Sequence, residues 1–300
     1  MKSNKVERVI TRDLLLSATN LTLGKQESTD HFLGRITHLT LCGNQKRVIR
    51  GIKNLHHCPN LKVLYLYDNA IEKLENVDAA PHLTHLYLQN NRISEIENLD
   101  GLIGLEKLYL SQNLISCVKG LESQHNLLEL HLSDQALPSS HAMSFEKASI
   151  TALAQSLRVL TLANCNITDS SPLHPLFHLE RLDLHRNCIK DLQDVFHLLT
   201  ACTNLKNLDL RENPVILALK YREKVVTFSS SSLQFLDEKE ISSSLRRKMQ
   251  SHAAHKFSKR KELASNQRDS EVDTPKSARE PQRIGICGLS IKTHEKEELG

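Results

Sequence analysis

Three tyrosines, Tyr65, Tyr87 and Tyr109, stand 22 residues apart in this chain of 300 residues, and Tyr67 follows the first by two. A phenol joins apolar ring area to a terminal hydroxyl, a combination enriched at protein interfaces. The same series continues through His131, Thr161, Asp183 and Asp209, so rings give way to charge, joined by Glu129, Arg181, His185, Arg186, Arg211 and Glu212. The residues singled out for protein interaction are Tyr65, Tyr67, Tyr87, Tyr109, His131, Asp183, His185, Asp209 and Arg211. The competing readings are rings that stack only on one another and a solvated mixture of charges. Bond-breaking chemistry finds no support: there is no phosphate-cradling glycine loop, H-E-x-x-H or Cys/His metal spacing, and the sixteen histidines are scattered. No catalytic residue, metal ligand or cofactor site is assigned.

Positioning these side chains requires a repeating element. The frame L-x-x-L-x-L-x-x-N-x-I appears as Leu61, Leu64, Leu66, Asn69, Ile71, then as Leu83 to Ile93 and as Leu105 to Ile115. Looser copies begin at Ile36 (with Asn44), Leu127, Leu157, Leu179 and Leu205, which makes about eight repeats of 22-residue type. A period in the twenties with this signature specifies an α/β leucine-rich-repeat solenoid, with a parallel sheet on its concave face. Leucines alternating with outward residues mark short strands, and each outward series becomes a column across the sheet. Asn69, Asn91, Asn113, Asn187 and Asn213, with Cys165 as the accepted substitute, form the asparagine ladder. Gln135 is one methylene too long for that ladder on this reading. Gln135 to Cys165 spans 30 residues instead of 22, and the extra stretch predicts a longer convex helix through 145–153.

The domain reading is a capping segment over 1–35, repeats over 36–213, a C-terminal cap over 214–250 and a disordered basic and polar tail over 251–300. Val6, Val9, Ile10, Asp13 and Leu14 are spaced for a helical stripe in the first of these. The formal net charge is +4; residues 1–240 carry 26 Lys/Arg against 27 Asp/Glu, and 241–300 carry 13 against 8, so the excess lies in the tail. Seven cysteines without a C-x-x-C pair, no signal-peptide pattern and no apolar run of spanning length predict reduced thiols in the cytosol or nucleus and no membrane segment. The run Arg246, Arg247, Lys248, Lys256, Lys259, Arg260, Lys261 suits a solvated helix, a nuclear-import patch or an acidic surface such as tubulin. Without interleaved aromatics it does not suit nucleic acid.

The repeats, and the hook Tyr221-Arg222, Leu233, Leu236-Asp237 that follows them, resemble the leucine-rich-repeat regulatory subunits of protein phosphatase 1. The resemblance implies a non-catalytic, monomeric subunit that binds the phosphatase catalytic subunit and changes its activity or location. It further implies the cytoplasm, with the cytoskeleton or centrosome as the site, and tubulin or a microtubule motor as partner. The alternative is a cytoskeletal or axonemal adaptor that does not touch the phosphatase. In that family the concave face uses aromatic and acidic side chains, parts that Tyr65, Tyr87, Tyr109, Asp183 and Asp209 could play. Lys224-Val225-Val226-Thr227-Phe228 fits the R/K-x-V-x-F phosphatase docking pattern, yet Val225 and Phe228 have the core spacing of a cap helix.

Overall fold

The computed structural model describes residues 7–43, 48–252, 255 and 258–259. Its strands are β1 (Glu7–Val9), β2 (His38–Thr40), β3 (Val48–Gly51), β4 (Val63–Tyr65), β5 (His85–Tyr87), β6 (Lys107–Tyr109) and β7 (Cys117–Val118). They continue as β8 (Glu129–His131), β9 (Ser144–Phe145), β10 (Val159–Thr161), β11 (Arg181–Asp183), β12 (Asn207–Asp209), β13 (Phe235–Leu236) and β14 (Lys239–Glu240). The α-helices are α1 (Arg12–Ser17), α2 (Thr29–Gly34), α3 (Lys147–Leu153), α4 (Leu192–Ala201) and α5 (Tyr221–Phe228). One ten-stranded sheet runs in the order β2, β4, β5, β6, β8, β10, β11, β12, β13, β14, parallel up to the antiparallel last pair. Each central leucine of the first eight strands is buried, from Leu39 through Leu64, Leu86, Leu108, Leu130, Leu160, Leu182 and Leu208. The residues flanking each leucine point to the opposite face, as the pleat requires. The molecule is a leucine-rich-repeat solenoid. No helix among the described residues is long and apolar enough to cross a membrane.

Each coil is tied to the one before it by side-chain amides. Asn91 accepts from Ile71 N–H at 3.0 Å and donates to Leu66 O and Leu88 O at 3.0 and 2.9 Å. Asn113 repeats this with Ile93, Leu88 and Leu110, and Asn69, Asn187 and Asn213 behave alike. Cys165 supplies only a thiol, donating to Leu132 O at 3.2 Å.

The exclusion of Gln135 from this ladder was wrong. Its Oε1 accepts from Ile115 N–H at 2.8 Å, and its Nε2 donates to Leu110 O and Leu132 O at 2.9 and 3.1 Å. The backbone makes room for the extra methylene. After Asn69, Asn91 and Asn113 the next N–H bonds Ile49 O, Ile71 O and Ile93 O, whereas Ala136 N–H falls back two residues, to Asn113 O. The lengthened repeat contains α3 over Lys147–Leu153, while Phe145, placed in that helix by the sequence reading, ends β9.

A second amide ladder runs along the outer turns. Asn54, Asn76 and Asn98 have positive φ (63°, 58° and 58°), which asparagine tolerates better than most residues. Each donates its side-chain N–H to the preceding coil, at Ile10 O, Ile52 O and Leu74 O. In the next coil Gly120 takes the place with φ 71°, and a Cβ there would lie 2.1 Å from Ile96 O. The glycine is required by close approach as well as by conformation.

Both ends of the core are covered. At the start, the expected single helical stripe is a strand followed by a helix: β1 pairs with β3, and α1 begins only at Arg12 with Thr11 as its N-cap. Val9 is 41% exposed, while Ile10 and Leu15 are fully buried, so the apolar stripe is split between the two elements. Val6 and Asn44 lie outside the described residues, as does most of the tail. At the other end α5 packs over the last coils, followed by helical residues 243–252. Arg246, read as part of a surface basic run, is structural: its guanidinium donates to Val226 O, Ser229 O and Leu233 O, closing the C-terminus of α5. Arg246→Ala is expected to destabilise the protein by about 2 kcal/mol in urea unfolding, with Arg247→Ala near neutral; equal effects would refute the capping role.

Candidate interaction face

The parallel register sets Tyr65 beside Tyr87, Tyr87 beside Tyr109 and Tyr109 beside His131. Their rings stack with centroids 4.6, 4.5 and 4.2 Å apart and interplanar angles of 19°, 18° and 7°. The four rings therefore form one continuous ladder. Their faces are largely spent on one another, so what a partner meets is a row of ring edges ending in hydroxyls and an imidazole. Self-stacking and recognition are not exclusive: stacking holds the edges in fixed positions and lowers the entropy lost on contact. Tyr67 lies one column away, 38% exposed, and its hydroxyl is held up in pKa chiefly by a hydrogen bond with Cys42.

A charged hub sits at the lower end of the ladder. Glu129 accepts from Tyr109 OH at 2.9 Å and pairs with Lys107 Nζ at 2.8 Å. Burial by itself would raise the Glu129 carboxyl, but the Lys107 and Tyr109 bonds hold it below its ordinary value. Burial, followed by the bond to Glu129, pushes the Tyr109 hydroxyl well up. His131 Nδ1 lies 3.2 Å from Thr161 Oγ1, and its Nε2 is buried without a hydrogen-bond partner. Lys107 escaped the sequence reading, which took Glu129 and Arg181 from the same column but passed it over; its register with Glu129 was the available signal.

Asp183, His185, Asp209 and Arg211 come together farther along. Asp183 Oδ1 accepts from His185 N–H and lies 2.7 Å from His185 Nδ1. Arg211 donates to both oxygens of Asp209, at 3.0 Å from Nε and 2.6 Å from Nη2, and also binds Glu238. Its guanidinium is raised above its ordinary range mainly by the Asp209 bonds. Asp183, His185 and Asp209 each place one ligand atom within 4.8 Å of the others, but a cation there would have to displace Arg211 from Asp209. The arrangement works as an ion-pair network. Beside it is an open depression lined by Arg181, Asp183, Asn207, Asp209, Phe235 and Glu238. Phe235, within the cap of the sequence reading, stands at the end of the column of Lys107, Glu129, Arg181 and Asn207, in register with Asn207.

The docking pattern at 224–228 is inside α5. Val225 and Val226 are fully buried and Phe228 is 51% exposed, stacked on Phe196 with centroids 4.4 Å apart. The core pair is thus Val225 and Val226; Phe228, expected to share core spacing with Val225, lies at the rim.

Comparison with known proteins follows the same lines. A family model described as "Leucine rich repeat" matches residues 34–93, and one described as "Leucine Rich repeats (2 copies)" matches 81–123 and 155–197. The chain is 33% identical over 70 residues to the mouse leucine-rich repeat- and IQ domain-containing protein 1, and 30% identical over 70 residues to the human form. Those stretches are 23% of this chain and 4% of the relatives, so the chain spans a small part of their length. Among solved structures, an internalin from Listeria monocytogenes superposes with a TM-score of 0.55 at 24% identity, covering 70% of this chain and 62% of that one. A repeat protein of Leptospira interrogans gives 0.53 at 22%, covering 69% and 50%. These likenesses are of fold alone. No catalytic family is indicated by these matches.

Proposed function

We propose that this leucine-rich-repeat protein is a non-catalytic binding subunit that regulates or targets protein phosphatase 1, at microtubules or the centrosome. The observation that carries the binding role is the stacked Tyr65, Tyr87, Tyr109 and His131 ladder, a fixed row of ring edges on an open sheet. Tyrosine and arginine are enriched where binding energy concentrates. Support for the phosphatase as partner comes from the repeat and cap resemblance. The stretches 63–69, 83–91 and 105–110 further resemble the testis-type member, protein phosphatase 1 regulatory subunit 42, which supports the microtubule or centrosome placement.

A second reading has its own observation. The acidic side chains that a phosphatase regulator would offer are engaged within the chain, Asp209 by Arg211 and Asp183 by His185 at 2.7 Å. That favours an adaptor that binds tubulin or a motor without direct phosphatase contact. A pull-down with purified phosphatase 1 catalytic subunit separates the two: capture at micromolar concentration supports the regulator, and absence of capture beside retained tubulin binding supports the adaptor.

Burial argues against the 224–228 segment as the contact, because docking motifs of that kind add an extended strand to a sheet edge. Phe228→Ala is expected to leave capture unchanged, and Val226→Ala to lower stability by about 2 kcal/mol. Loss of capture by a folded Phe228→Ala protein would return the site to this segment.

A further inference from the structure

The Lys107, Tyr109, Glu129 and His131 hub lies in the middle of the proposed contact face and contains one unsatisfied group. His131 Nε2 is buried, has no hydrogen-bond partner and stands 3.6 Å from Glu129 Oε2, too far for a hydrogen bond. The same oxygen accepts the Tyr109 hydroxyl at 2.9 Å. The imidazole is fixed in orientation by stacking on Tyr109 at 4.2 Å and by the contact of Nδ1 with Thr161 Oγ1 at 3.2 Å.

We infer that His131 is a proton-operated switch for the tyrosine ladder: a proton on Nε2 closes the gap to Glu129 Oε2 and so alters the hydroxyl contact of Tyr109. Thr161 Oγ1 can accept from Nδ1–H, and in that tautomer the neutral ring turns the Nε2 lone pair toward the carboxylate, so that two acceptors stand apart. Protonation converts that pair into a charge-assisted donor and acceptor, the stronger class of hydrogen bond. Oε2 then serves two donors, and the Tyr109 phenol, stacked between Tyr87 and His131, must share it.

The groups facing His131 act in both directions. Burial lowers its affinity for a proton, Glu129 on β8 raises it, and Arg181 on β11 with Lys107 on β6 lowers it again. The balance is below the ordinary 6.5, so the ring is neutral near pH 7 and takes its proton only at lower pH. Stability that the neutral ring contributes above pH 6.5 is accordingly lost as pH falls through the folded value. That the switch would tune partner binding rests on the contact-face reading; the switch itself is a property of the free protein.

The test uses the full chain without partner, labelled on histidine and tyrosine rings and followed by NMR between pH 8 and pH 5. His131 and Tyr109 signals are assigned by their loss in His131→Gln and Tyr109→Phe. The expected result is that both rings shift with one midpoint below 6.5. In Glu129→Gln the His131 midpoint should drop by about one pH unit and Tyr109 should stop following it. Should Glu129→Gln fail to fold at pH 8, His131→Gln serves instead, since Tyr109 must then lose its response over this range. A Tyr109 signal that ignores His131, or a midpoint unmoved by Glu129→Gln, overturns the inference, and either result is independent of whether the phosphatase binds.

Discussion

Asn113→Ala is expected to lower stability by about 3 kcal/mol, since it orphans the buried Ile93 N–H at roughly 1–3 kcal/mol and removes one of the two side-chain donors from Leu88 O and from Leu110 O, which keep Asn91 and Gln135. Asn113 is 1% exposed; without its amide, Ile93 N–H loses its acceptor, and Leu88 O and Leu110 O each lose a donor. For a chain of this size the thermal midpoint should fall by about 10 °C. Gln135→Ala should cost a comparable amount, because its three bonds are equivalent. Gln135→Asn is the sharper experiment. Restoring the residue common to the other rungs should destabilise by about 1 kcal/mol, because the backbone at Ala136 has moved to suit the longer side chain. A gain in stability for Gln135→Asn would mean that the glutamine is a tolerated misfit.

Replacing Tyr65, Tyr87 and Tyr109 together by Ala should weaken phosphatase capture by at least about 100-fold, the loss expected when a cluster of contact tyrosines is removed. It also breaks all three stacked pairs, at about 0.5–1.5 kcal/mol each beyond area burial. The protein should nevertheless fold, because Leu64, Leu86 and Leu108 on the other face of the same strands remain fully buried. Calorimetric titration of the catalytic subunit against wild type and variant, with thermal unfolding of each, reads both effects. A folded variant that binds with unchanged affinity would dismiss the ladder as the contact.

Much of this was legible in the residues. Leucines at strand spacing and a 22-residue period specify the coil, and the parallel register then places every tyrosine of the column beside the next. What the sequence concealed has definite causes. Gln135 was judged against a fixed backbone, but main chain between coils can shift register by two residues. Asn54, Asn76 and Asn98 were passed over because they look like ordinary polar turn residues; the signal was an asparagine seven places after Asn69 and Asn91. Arg246 was grouped with its basic neighbours, and nothing in sequence distinguishes a cap from a solvated cation. Val9 and Ile10 were read as one helical face, although the pairing of β1 with β3 divides them.

Two amide ladders, one beside the strands and one on the outer turns at Asn54, Asn76 and Asn98, make each of the early coils a link clasped at two points. Such a chain lengthens in quanta. A gain or loss of a few residues at most places would pull one clasp out of line, while duplication of a whole link would keep both. The eight residues by which 30 exceeds 22 lie between Gln135 and Cys165, and the residue after that rung holds the added stretch: Asn166 donates to Pro138 O and His141 O at 3.3 and 3.1 Å. The chain carries that extra length with no loss of strand register, since Leu160 still pairs with Leu130.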